Sequence, residues 1–239
     1  MSVAQAHGHS ASRGHASERR IAIFGGTFDP IHIGHLAVAR AAERRFHLDE
    51  IHFIPTGRPP HKHRRGMASY ADRYAMVALA CADHLHFLPS LAESGPGHSG
   101  QEVFYSVDTV RHFKQKFHGP DTHLYFLMGA DSFLHIPAWK DYETLLGLCD
   151  FIVASRPGFR VEALRLVIPP ELFGRPGSAH APLDPRAIAL RRTSIYVLDS
   201  VSSHVSATEV RERLDLGEPI HGLVPPRVEE YITKQALYR

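Results

Sequence analysis

Residues 25–35 read GGTFDPIHIGH and follow a short apolar run, Ile21–Phe24, that predicts a buried strand. A strand that ends in two glycines and then opens a helix brings bare backbone N–H groups, here those of Gly25, Gly26, Thr27 and Phe28, against a bound phosphate. His32 and His35 are three apart, so they fall on one side of the first helical turn and face the same ligand. Gly34 between them lets the helix start close to it. This set of groups suits a triphosphate whose charge must be met while it reacts. The segment has the spacing of neither the dinucleotide fingerprint G-x-G-x-x-G nor the phosphate loop G-x-x-x-x-G-K-[ST]. It is not H-E-x-x-H either, and no Cys/His cluster offers metal-ligand spacing, so no metal ligand is assigned.

The elements that must position these groups alternate along the chain. Short apolar runs at 21–24, 51–54, 86–88, 124–128, 151–154 and 195–198 read as strands. Between them, residues 34–46 are Ala-rich, 69–82 open with Ser69 and Asp72 at cap spacing, and 106–117 set Val110, Phe113 and Phe117 on one stripe. Pro226 reads as the first residue of a closing helix. Continuous apolar strands alternating with helices predict an α/β fold: a doubly wound, Rossmann-like parallel sheet with helices on both faces, in a single domain over 19–239. If its order is 3-2-1-4-5, strands one and four adjoin where the winding reverses. The glycine-rich motif and Gly129-Ala130-Asp131-Ser132, which follows the fourth strand, then face one crevice.

Composition narrows the classes. The 239 residues suffice for a sizeable core, with 44% hydrophobic and 22% charged residues. A formal net charge of +2 gives no argument for nucleic acid as a partner. No apolar run reaches the roughly 18–20 residues of a membrane span, and the N-terminus lacks the apolar stretch of a signal peptide. Cys81 and Cys149 sit in apolar segments and read as buried free thiols, so a cytoplasmic address is expected. Residues 1–18 are Ala/Ser/His/Gly-rich and are expected to form a disordered tail. The basic run 57–66 reads as a loop that closes over anionic substrate, and 169–187 as a surface excursion. Whether copies associate into a homo-oligomer is left open.

The chain also resembles a known family. GGTFDPIHIGH is similar to the signature of the HIGH-motif nucleotidyltransferases, and within them the chain looks like the bacterial nicotinate-nucleotide adenylyltransferases. The likeness continues through PTGRPPHK at 55–62, MGADSFLHIPAWKDYE at 128–143, SRPGF at 155–159, VSATEVRERL at 205–214 and the C-terminal LYR. The resemblance implies direct transfer of AMP from ATP to nicotinate mononucleotide, giving nicotinate adenine dinucleotide and pyrophosphate, a step of NAD biosynthesis. It implies Mg²⁺ carried with ATP, no covalent intermediate, and small molecules as the partners. By the same resemblance His32, His35 and Arg211 are catalytic. Gly25, Gly26, Thr27, Phe28, Gly34, Lys62, Asp131, Ser206 and Thr208 hold ATP and its phosphates. Tyr105, Ser106, Thr109 and Trp139 hold nicotinate mononucleotide, with the indole as a stacking platform. Ala207 stands where the family's ISSTxIR motif has a second Ser, and one hydroxyl contact is lost with it.

Other readings have distinct signatures. A phosphopantetheine-type transferase fits poorly with the run around Trp139, a class I aminoacyl-tRNA synthetase fragment lacks a KMSKS segment, and a non-catalytic nucleotide-binding regulator has no use for both histidines, Thr208 and Arg211. A pocket selective for the acid over the amide is expected to present donors only. Glu102 and Asp108, the nearest carboxylates in sequence to Tyr105–Ser106, are expected to point away.

Overall fold

The first strand, β1 (Arg19–Gly26), is buried on both faces: Ala22 and Phe24 enter one core and Ile23 the other. That is the sidedness of a central strand in a covered parallel sheet. The computed structural model describes residues 18–57, 66–96, 102–119, 121–156, 158–174, 184, 186–199, 201 and 204–238. The segment read as a tail, 1–18, therefore lies outside the described residues except for Glu18, whose carboxylate pairs with Arg20 and His123. Lys62 and most of the 57–66 loop lie outside them as well, as does much of 169–187.

After β1 come α1 (Ile33–Phe46), β2 (Glu50–Pro55), α2 (Tyr70–Cys81), β3 (Phe87–Pro89), α3 (Ser106–Lys116) and β4 (Thr122–Gly129). The second half comprises α4 (Ala130–Leu134), α5 (Tyr142–Leu146), β5 (Asp150–Ala154), α6 (Glu162–Arg165), β6 (Ile188–Ala189), β7 (Ser194–Leu198), α7 (Ala207–Asp215) and α8 (Pro226–Lys234). The strands form one sheet in the order β3-β2-β1-β4-β5-β7-β6. All neighbours run parallel except β6 against β7. The 3-2-1-4-5 core is as expected. The strand β6 is an addition, since two residues carry no periodicity to read.

Helices α1, α2, α7 and α8 cover one face of the sheet through Ala39, Ala42, Met76, Val77, Val210, Val228 and Ile232. Helices α3 to α6 cover the other through Val107, Val110, Phe113, Phe133, Leu145 and Leu164. Ala39 and Ala42 are fully buried, so α1 approaches the sheet closely and its first turn overlies the end of β1. The winding reverses between β1 and β4, and groups beyond their carboxyl ends are drawn from both helical layers.

Candidate active site

One cleft of about 1650 Å³ opens beyond the carboxyl ends of β1, β4 and β5. Its lining contains Gly25, Gly26, Thr27, Phe28, His32, Gly34, His35, Tyr105, Ser106, Thr109, Asp131, Trp139, Thr208 and Arg211. Of the residues expected at the site, Ser206 is not in the lining and Lys62 lies outside the described residues.

The chain turns from β1 into α1 through a tight cradle. Phe28 adopts the left-handed conformation (φ 49°), and its buried ring meets Phe24 edge-on at 5.6 Å and His35 at 5.0 Å. Packing of the ring holds the unusual backbone, so the main chain of Phe28 is what it turns to the cleft. A Cβ at position 26 would come within 3.0 Å of that ring and press on it, a crowding that Gly26 avoids.

His32 caps α1, and its backbone N–H donates to Nδ1 of His35 across 3.2 Å. His35 thus takes the place that Glu or Gln fills in a capping box. With Nδ1 accepting, the neutral ring carries its proton on Nε2. The two rings lie 3.7 Å apart. Burial holds the His32 imidazole down to about 4, and burial together with the neighbouring His32 holds His35 well below its ordinary value. Both rings are neutral at pH 7 and offer N–H dipoles rather than full charges. Among the described residues, the buried His32 Nδ1 has no hydrogen-bond partner. His35 does more than face a ligand. Its contacts with Phe24 and Phe28 and its cap to His32 tie it to the fold.

From the other side of the cleft, α7 presents Thr208 and Arg211. Ser206 opens this helix as its N-cap, its hydroxyl oxygen accepting the Glu209 N–H at 3.1 Å. Arg211 donates to the Asp29 carbonyl oxygen and to Thr208 Oγ1 (3.2 Å), with the Asp29 carboxylate 3.9 Å away. Asp29 Oδ1 accepts from the Tyr238 hydroxyl (2.7 Å) and the Ala68 N–H (3.1 Å). The C-terminal segment and the start of α2 therefore meet on the cradle.

The end nearer α3 differs from expectation in one respect. Glu102 and Asp108 do not line the cleft, and Asp108 pairs outward with Arg111 and Lys140. Glu93 does line it, buried, with its carboxylate accepting the Thr109 hydroxyl at 2.8 Å and the Gly57 N–H. The Thr109 proton is therefore committed to Glu93, and the pocket holds a carboxylate where donors alone were expected. Burial pushes the Glu93 carboxyl up. The donors left for a ligand are the first amides of α3 and the Ser106 hydroxyl, while the Lys140 ammonium, paired with Asp108, lies 4.3 Å over the Tyr105 ring. Trp139 is half-buried, edge-on to Phe126 at 6.3 Å, with the rest of the indole facing the cleft. Asp131 stands exposed at the start of α4.

Asp29, Glu93 and Ser155 were not singled out in the sequence. Ser155 follows β5 and lines the cleft, and its buried hydroxyl has no hydrogen-bond partner among the described residues. Asp29 and Ser155 fall inside the motifs at 25–35 and 155–159, but the partners of Asp29 and Glu93 are distant in the chain, so their roles are visible only in the fold.

A family model described as Cytidylyltransferase-like matches residues 23–213. A protein of Moorella thermoacetica named "Probable nicotinate-nucleotide adenylyltransferase" is 40% identical over 224 residues, covering 92% of each chain. Its namesake in Geobacter sulfurreducens is 38% identical over 217 residues, 90% of this chain and 96% of that one. The chain belongs to the nicotinate-nucleotide adenylyltransferase family. Its fold is also that of Plasmodium falciparum nicotinic acid mononucleotide adenylyltransferase complexed with NaAD, at a TM-score of 0.66 and 22% identity over 92% of this chain and 97% of that one. Within this family's cytidylyltransferase-like fold, the cradle, the histidine pair and the α7 residues stand in one cleft.

The neutral histidines set a pH dependence of stability. An unfolded His has a value near 6.5, whereas folded His32 titrates at about 4. Between these values the unfolded chain binds a proton that the native one refuses, so stability falls as pH falls through this window. From pH 7 to pH 5 His32 should account for about 2 kcal/mol of that loss. Urea unfolding of wild type and His32→Asn at the two pH values checks this. The variant should lose less stability on acidification, and equal losses would contradict the burial of a neutral imidazole.

Proposed function

We propose that this family member transfers AMP from ATP to nicotinate mononucleotide, releasing pyrophosphate and forming nicotinate adenine dinucleotide. The observation that carries the reading is the convergence, in one cleft, of two neutral imidazoles on a glycine cradle with the Thr208–Arg211 turn from one helical layer and Trp139 with α3 from the other.

The mononucleotide phosphate attacks the α-phosphorus of ATP in line, and pyrophosphate leaves. No nucleophilic side chain is needed, since alignment and charge stabilisation carry phosphoryl-type transfer. The amides of the cradle and the Nε2–H of His35 meet the phosphate oxygens as negative charge moves onto the leaving group. His32 supplies the second ring. Arg211, held by Asp29 and Thr208, offers the cation that pairs with the pyrophosphate. Gly34 and Ser206 act through the helix starts that they shape, and Asp131 accepts from a ribose hydroxyl. Lys62, outside the described residues, is proposed as a further cation for the phosphates. Among the described residues no group of three His, Cys, Asp or Glu is placed to cage a metal. Mg²⁺ carried on the ATP phosphates would be held there by the nucleotide and would supply charge neutralisation.

At the other end Trp139 stacks on the pyridine ring, and the α3 amides, with Ser106, receive its carboxylate. Tyr105 shapes this end, and Thr109 acts through Glu93. No helix among the described residues is long and apolar enough to cross a membrane. Cys81 and Cys149, buried and unbridged, support a cytoplasmic setting.

Incubating the protein with ATP, Mg²⁺ and each mononucleotide, and following pyrophosphate, tests the reading. Two donors to a charged carboxylate contribute about 3–5 kcal/mol, so kcat/KM should favour the acid by about 10² to 10⁴. Equal kcat/KM for acid and amide would overturn the pocket, with Glu93 then accepting the amide. Absence of pyrophosphate with either would overturn the activity.

His35→Ala should lower kcat by about two to three orders of magnitude, the scale of one lost preorganised donor. Stability should fall by about 1 kcal/mol, because the cap on His32 is lost. Steady-state kinetics beside thermal unfolding separates the two effects, and near-normal turnover would contradict the role.

A further inference from the structure

Arg73, on α2, is 1% exposed and is the largest fully buried side chain of the described residues. Its guanidinium forms no ion pair within 4 Å among the described residues and instead donates to four carbonyl oxygens. Nη1 reaches Thr27 and Thr56, both at 2.8 Å, Nη2 reaches Gly57 at 3.0 Å, and Nε reaches Ala68 at 3.3 Å. These carbonyls come from three separate segments: the cradle after β1, the turn after β2 and the start of α2. The Tyr70 ring lies 5.5 Å from the guanidinium carbon. A buried cation is costly to desolvate, and four carbonyl dipoles with Asp29 and Glu93 nearby offset that cost.

The geometry has a consequence for the cradle. A trans peptide is planar, so its C=O and the following N–H point in opposite directions. Drawing the Thr27 carbonyl inward to Arg73 turns the Phe28 N–H outward. The next residue of the cradle, Asp29, supplies the carbonyl that holds Arg211. The same guanidinium holds Gly57, where a Cβ would come within 2.5 Å of the Glu93 carbonyl oxygen. Gly57 also donates to the carboxylate that orients Thr109. Both ends of the cleft are thus referred to one buried fork.

We propose that Arg73 is a positioning residue: its guanidinium sets the register of the phosphate cradle against the β2 turn, so that the cradle amides face the nucleotide. This rests on the adenylyl-transfer reading for its kinetic consequence but not for its structural one. Lysine keeps the charge, yet a compact ammonium cannot span four acceptors in a fixed planar fork. In Arg73→Lys, kcat should fall by about 10- to 100-fold, the scale of an ångström of misplacement. KM for the mononucleotide should stay within about threefold, and amide hydrogen exchange of residues 25–31 should accelerate.

A folded Arg73→Lys enzyme with wild-type kcat and wild-type exchange over 25–31 would overturn the proposal. Should the variant fail to fold, the wild-type protein decides it: ¹⁵N-resolved NMR should show distinct, slowly exchanging Arg73 η protons. A single averaged η resonance exchanging like free arginine would overturn it. If the wild-type protein releases no pyrophosphate, the adenylyl-transfer reading fails, while exchange and NMR still decide the role of Arg73.

Discussion

One hydrogen bond, from the His32 N–H to Nδ1 of His35, joins the start of a helix to the chemistry proposed for it. It satisfies one of the amides that a helix N-terminus leaves unpaired. It also assigns the tautomer of His35, leaving Nε2–H as the free donor. The bond exists because β1 ends against Phe28, whose buried ring fixes the turn, and because Ala39 and Ala42 let α1 lie close on the sheet. Local sequence, core packing and the orientation of one proton are therefore a single constraint.

The electrostatic strategy follows from the burial of that pair. Two imidazolium ions 3.7 Å apart would repel, and desolvation disfavours each. The site instead presents neutral N–H dipoles and backbone amides, with full positive charge kept at Arg211 on one side and Arg73 beneath. Preorganised dipoles need no rearrangement as charge develops, and they do not hold pyrophosphate as tightly as a cluster of fixed cations. The doubly wound topology supplies the site with donors from both helical layers at the one place where those layers diverge.

Much of this was legible in the sequence, for identifiable reasons. Apolar runs such as Phe151–Ala154 are read directly, because a strand buried on both faces needs no alternation. The cradle and the histidine pair are contiguous, so their chemistry lies within one helical turn. The partnerships of Glu93 with Thr109, Arg73 with Thr27 and Asp29 with Arg211 span 16, 46 and 182 residues, and only the folded chain joins them. Thr109 shows the cost of that distance. Its hydroxyl reads as a ligand donor until Glu93, from the segment after β3, takes the proton. Ser206, by contrast, reads as the N-cap of its helix from the sequence, because the Glu209 amide whose N–H it accepts lies only three residues on.

The most direct test of the account is the protonation state of His35 in the wild-type protein, read from its imidazole ¹⁵N shifts at pH 7. A neutral ring with the proton on Nε2 and an unprotonated Nδ1 is the predicted result. An imidazolium at that pH, or a ring protonated on Nδ1, would contradict it, because the cap to His32 and the donor toward phosphate could not then coexist.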